Sequence, residues 1–87
     1  MELTHTVTID YSNDCEMLQN EGWSRDKCAK HFTKLFEASL AKELKGGIQE
    51  DEGGVIVYSK RIDVGHAIGW KQAYWFDYEN MCGGRYE

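Results

Sequence analysis

Hydrophobic and polar positions alternate along Leu3 to Tyr11. Leu3, His5, Val7, Ile9 and Tyr11 fall on one side, and Thr4, Thr6, Thr8 and Asp10 on the other. A period of two with β-branched residues predicts a strand whose apolar face meets a core. The next stretch, Ser12 to Glu21, keeps neither period cleanly. Ser12 would cap a short helix that holds Cys15, Met17 and Leu18 and is stopped by Gly22; a structured loop fits equally. From Ser24 the period becomes helical, with Cys28, Phe32, Leu35, Phe36, Ser39, Leu40 and Leu44 on one side. Lys27, Lys30, Lys34, Glu37, Lys42, Glu43 and Lys45 fill much of the other. Ser24 is a good N-cap residue, Trp23 before it can close over Cys28, and Gly46-Gly47 supplies a left-handed stop. A helix of about 20 residues, about 30 Å long, follows from this spacing.

Beyond it, Ile48 to Gly54 reads as an acidic loop carrying Gln49-Glu50-Asp51-Glu52, closed by Gly53-Gly54. Val55 to Ile62 alternates again, with Ile56, Tyr58 and Ile62 opposite Val55, Val57, Ser59 and Arg61. Asp63-Val64-Gly65-His66 fits a hairpin turn, the glycine supplying a positive φ. In Ala67 to Tyr78, Ile68, Trp70, Tyr74, Phe76 and Tyr78 share one face, and Ala67, Gly69, Lys71, Ala73, Trp75 and Asp77 the other. Residues 79–87 read as a frayed tail. The pattern predicts one α+β domain over residues 1–87. A long amphipathic helix, with or without a short one before it, packs on a three-stranded, mainly antiparallel sheet in element order β-(α)-α-β-β. The third strand, apolar on both faces, belongs between the other two; a first strand paired parallel with the second is the alternative. Phe32, Phe36 and Leu40 should meet Val7, Ile9, Ile56, Ile68, Tyr74 and Phe76 in the core.

Composition narrows the function. The chain has 87 residues with a formal charge of −5 and no proline. One small core fits that length. The acidic balance opposes general nucleic-acid binding, which phosphate neutralisation drives. The odd count of three cysteines, Cys15, Cys28 and Cys82, is unlike a secreted disulfide scaffold and points to reduced thiols. With no basic-then-apolar leader and no apolar run of membrane-span length, the expected location is the cytoplasm.

No stretch carries a specific catalytic signature. Cys28 and His31 could share a metal or form a nucleophile–base pair, but a structural zinc site needs a second close ligand pair, and a thiol enzyme needs an orienting group and a cleft. No cofactor or metal is expected. The glycine pairs lack the flanking residues of phosphate-cradling loops. Lys60, Arg61 and Lys71 beside Tyr58, Trp70 and Trp75 suggest a surface on which bases stack, the second-ranked reading.

More informative is Tyr74-Trp75-Phe76. Consecutive strand residues face opposite sides, and one helix covers only one face of the sheet. With Tyr74 and Phe76 under the helix, Trp75 lies on the open face beside Ala73, Val55, Val57 and the methyls of Thr6 and Thr8. Lys71, Arg61 and Asp77 form the rim. An aromatic anchor in such a patch suits a protein contact; cover by Met81 or Tyr86 of the tail, or by the Ser12 to Glu21 segment, is the structural counterpart. The run Glu50-Asp51-Glu52 adds a surface that could meet a basic, nucleic-acid-binding partner or serve simply as a solvated turn. The expected partner-binding set is therefore Trp75, Ala73, Val55, Val57, Lys71, Arg61, Glu50, Asp51 and Glu52.

In size, acidity and architecture the chain resembles small phage-encoded inhibitor proteins of the anti-CRISPR, anti-defence and host-takeover kind. The resemblance implies a non-enzymatic protein that occupies a functional surface of a larger host complex, in the host cytoplasm. It brings no functional residue with it and leaves oligomeric state open.

Overall fold

The computed structural model describes residues 5–86, with side chains described from residue 9. The elements are β1 (His5–Asp10), α1 (Ser12–Asn20), α2 (Arg25–Leu40), β2 (Ile48–Asp51), β3 (Val55–Val64), β4 (Ala67–Asp77) and β5 (Cys82–Tyr86). All strands join one five-stranded antiparallel sheet in the order β1-β5-β4-β3-β2. The chain leaves one edge after β1, passes through both helices and re-enters at the opposite edge as β2. It then returns strand by strand through hairpins. The α+β class stands, but the sheet has five strands instead of the expected three.

Both additional strands come from segments whose polarity or glycine content suggested loops. The acidic segment is edge strand β2, with Glu50 opposite Val57 and Asp51 opposite Ile56. Its connection to β3 is a two-residue hairpin. The Glu52 N–H donates to the Val55 carbonyl at 2.8 Å, and Gly53 and Gly54 have φ of 71° and 104°. Positive φ at both central residues is what a type I′ turn requires, and Gly-Gly supplies it without strain. Adjacent carboxylates tolerate the strand because an edge leaves them in water. The expected frayed tail contains β5, inserted between β1 and β4. Gly83 fits there because a Cβ would lie 2.6 Å from Phe36 Cε1 and 2.9 Å from Phe76 Cδ1. The turn before β5 is held by Asp77, whose carboxylate accepts the N–H groups of Glu79 and Asn80, both at 3.0 Å.

The short helix α1 forms, but its N-cap is Tyr11 rather than Ser12. Asp10 meets the exposed helix start by accepting the Ser12 N–H at 2.8 Å. In α2, Ser24 caps as the sequence predicts, its hydroxyl accepting the Lys27 N–H at 3.1 Å. The helix ends at Leu40, short of Gly46. The Ser39 hydroxyl donates back to the Phe36 carbonyl at 2.6 Å, competing with regular helix bonding. Turns continue to Gly47, where a Cβ would meet the Ser59 carbonyl oxygen at 2.5 Å, so glycine permits the close approach that starts β2.

The core lies between the helices and one sheet face and comprises Cys15, Cys28, Phe32, Phe36, Leu40, Tyr58, Phe76 and Met81. Its centre is an aromatic run. Tyr11 stacks on Phe32 at 4.8 Å, Phe36 stacks on Phe76 at 4.9 Å, and Tyr58 tilts against Phe36 at 5.7 Å. Ile9, Ile56 and Tyr74 pack at its margin as expected. Ile68 does not, for the reason given below. The expectations for Val7 in the core and for the Thr6 and Thr8 methyls beside Trp75 fall outside the described side chains.

Tyrosines bind the layers at the rim. Tyr58 donates to Glu37 of α2 at 2.9 Å, Tyr78 donates to Asp51 of β2 at 2.9 Å, and Tyr74 donates to Glu43. Burial and the Glu37 carboxylate together push the Tyr58 phenol far above its ordinary pKa of 10.0. Among the described residues no helix is long and apolar enough to cross a membrane.

Candidate partner-binding surface

The β3–β4 hairpin sets which side chains face away from the helices. Val57 pairs with Trp75, and Tyr58 with Tyr74; then the register slips, so that Ser59 pairs with Gln72, Arg61 with Trp70 and Asp63 with Ile68. Directly paired residues share a face, so the extra residue in β4 reverses the alternation along that strand. Tyr74 and Phe76 face the helices, as the sequence predicts. Trp70 and Ile68 do not join them. Their expected place under the helix is corrected by the bulge to the face that also carries Trp75, Val57, Ser59 and Arg61.

That face has two zones. Near the core, Trp75 and Val57 are themselves buried, Trp75 at 9 % exposure, and Ala73, the residue at the bulge, is buried too. Trp75 lies across from Gly84 of β5, which leaves room for the indole over the strand. The tryptophan expected as an accessible anchor is thus on the expected side of the sheet but already packed. Met81, considered as its cover, belongs to the helix-side core instead. Farther out, from Lys60 to Gln72, no residue is buried. Here Trp70 is 46 % and Ile68 55 % exposed. Ile48 of β2 pairs with Ser59, so it shares this face and is 40 % exposed. The hairpin closes at Gly65-His66, where Gly65 has φ of 61°.

The other expected site residues divide between the two faces. Arg61 lies with Trp70, its Nε 3.7 Å from Asp63 Oδ1. Val55 and Glu50 also fall on this face, through the pairs Val55–Asp77 and Glu50–Val57. Lys71 pairs with Lys60 on the reverse side. Asp51 points to the helix side and accepts the Tyr78 hydroxyl, so the acidic triplet does not act as one block. Glu52 sits exposed at the turn. Trp70 and Ile68 are the residues that reading strict alternation missed. The signal was Gln72, a polar residue in the otherwise apolar series Ile68, Trp70, Tyr74 and Phe76.

The metal and thiol candidates do not converge. Cys28 is fully buried, and its thiol lies 3.9 Å from the Cys15 carbonyl oxygen. His31 is exposed, its ring edge-on to Trp23 at 5.3 Å and Phe32 at 4.9 Å. Among the described residues no three His, Cys, Asp or Glu side chains gather in a metal-binding arrangement. Comparison with known protein families, curated proteins and solved structures finds no match.

Proposed function

We propose that the chain is a non-enzymatic protein-binding module that grips its partner with the outer β3–β4 hairpin, on the face carrying Trp70, Ile68 and Ile48. The observation behind this reading is the exposure of two large apolar residues, Trp70 and Ile68, on adjacent positions of one strand face. A tryptophan held on a paired strand brings a large contact area at low entropic cost, the usual make-up of an interface anchor. Arg61, Asp63, Glu50 and Glu52 provide a charged rim suited to steering. Obstruction of a functional surface on a larger complex, in the manner of small phage inhibitors, is the mode of action we favour.

The test is parallel capture from extracts of cells encoding the chain, using the native chain and a Trp70→Ala/Ile68→Ser variant. A partner retained by the native chain and lost by the folded variant supports the reading. A partner held equally by both overturns it. Arg61 opposite Trp70 also forms a pair on which a base could stack, which gives nucleic acid the second place. The net charge of −5 opposes it. Salt-dependent binding of a single-stranded oligonucleotide that disappears with Trp70→Ala would reverse the ranking.

A further inference from the structure

α1 has one buried residue, Cys15, at 3 % exposure. It packs against fully buried Cys28 of α2. Cys28 Sγ is 3.9 Å from the Cys15 carbonyl oxygen, which sets the two residues side by side where α1 meets α2. Cys15 Sγ also lies 3.9 Å from Gln19 Oε1. Both thiols are free. Cys82 stands apart: Gly83 beside it faces Phe36, so Cys82 faces the opposite side of the sheet. A polar cleft of about 360 Å³ reaches Cys15 between α1 and the turn before β5, lined also by Ser12, Glu16, Gln19, Arg25 and Asn80. Cys28 does not line it. Cys15, though only 3 % exposed, therefore borders the cleft, and fully buried Cys28 does not.

We propose that Cys15 and Cys28 form a thiol–disulfide modification site, oxidised by a small-molecule disulfide of the glutathione type that enters through this cleft. The Cys15 thiolate attacks one sulfur of that disulfide. Its S–S bond breaks, and the first thiol leaves with a proton. Cys28 then loses its proton and attacks the Cys15 sulfur of the mixed disulfide, expelling the second thiol. Two cysteine thiols give up two electrons and become one S–S bond, while the small disulfide gains them and becomes two thiols. The product ties α1, whose buried anchoring is a single side chain, covalently to the first turns of α2. Excess small thiol reverses the exchange.

The test uses a Cys82→Ser variant, folded and reduced, incubated with glutathione disulfide and quenched with acid. The expected product is a monomer whose mass is lower by the two thiol hydrogens, with peptide mapping that joins Cys15 to Cys28. Its Tm should rise by about 10 °C and return on reduction. Cys28→Ser in the same background should stop at a stable glutathione adduct on Cys15, and Cys15→Ser should remain unmodified. Disulfide-linked dimers, a lasting adduct when both cysteines are present, or reaction only in denaturant would each overturn the proposal. So would an equal rise in Tm for the folded Cys15→Ser variant.

Discussion

The inner and outer halves of the β3–β4 hairpin share the same two strands and differ in almost everything else. In the inner half, Tyr58 and Phe76 lie under α2, and Trp75 and Val57 are buried on the reverse face. In the outer half, from Lys60 to Gln72, no side chain is buried. The boundary is the bulge at Ala73, where β4 gains a residue and reverses its faces. Below it, an aromatic residue stabilises the fold by displacing water from a packed site. Above it, Trp70 is 46 % exposed and keeps much of its ring in water. Hydrophobic residues in one continuous strand can thus serve folding or binding according to where the register slips.

The contrast breaks most severely at Phe36. It is 1 % exposed and lies between the rings of Phe76 and Tyr58. Phe36→Ala should cost about 3–5 kcal/mol, read from urea melts. For a chain of this size that is a large share of total stability. A loss below about 1 kcal/mol would mean that the inner half is not a packed core. Gly83→Ala tests the same region by crowding. Its added methyl would press on Phe36, on Phe76 and, at 2.9 Å, on the Trp75 carbonyl oxygen. Overpacking of this kind costs roughly 1–3 kcal/mol. A melt unchanged by the methyl would show that β5 does not sit against the rings.

Those two residues also mark how far the sequence could be read. Phe36 was legible because helical spacing with a capping serine is a long, redundant signal, carried by Phe32, Phe36 and Leu40 together. Gly83 was not. A strand that runs Cys-Gly-Gly-Arg-Tyr has weak local preference, and it forms because tertiary pairing on both sides outweighs the entropy of its glycines. β2 was obscured by its charge, although Gly53-Gly54 is a two-residue hairpin signal in its own right. For the candidate surface, alternation identified the helix-distal face and put Trp75, Val57 and Arg61 on it. It could not show that Trp75 is already packed, since burial depends on the whole sheet. It also failed across the bulge, because one inserted residue reverses every later assignment.

Tyr58 sharpens the comparison at the edge of the inner half. Its hydroxyl donates to Glu37, and Tyr58→Phe should cost about 1 kcal/mol near neutral pH. The larger signature is alkaline. A phenol whose folded-state pKa is raised contributes stability that is complete below the unfolded value of about 10 and is lost as pH rises above it toward the folded value. The native chain should therefore weaken steadily above pH 10. Tyr58→Phe should flatten that decline without removing it, because the phenols of Tyr11, Tyr74, Tyr78 and Tyr86 are raised as well. An identical alkaline decline in the two proteins would place the Tyr58 hydroxyl in water and loosen the join between α2 and the sheet.

The smallest stability effect belongs to the outer half, and its smallness is the point. Trp70→Ala removes a large ring that is nearly half exposed and faces away from both helices. Its effect on urea melts should stay within about 0.5 kcal/mol, as for surface substitutions generally. Against a captured protein partner, the same change should cost at least about 2 kcal/mol, expressed mainly as faster dissociation, because an anchor that is desolvated in the complex governs release. Glu50→Gln with Glu52→Gln should do the reverse, slowing association and weakening its salt dependence, since charges at a rim act during approach. Asp51 is left intact in that variant because its carboxylate receives the Tyr78 hydroxyl, and changing it would mix a structural loss with an electrostatic one. Surface plasmon resonance at two salt concentrations separates the two rates. If Trp70→Ala melts like a core variant, the outer hairpin is part of the packed domain and the division at Ala73 is wrong. If stability and dissociation are both unmoved, the division stands but the partner binds elsewhere, and the exposed apolar pair Met17 and Leu35 on the two helices becomes the surface to test.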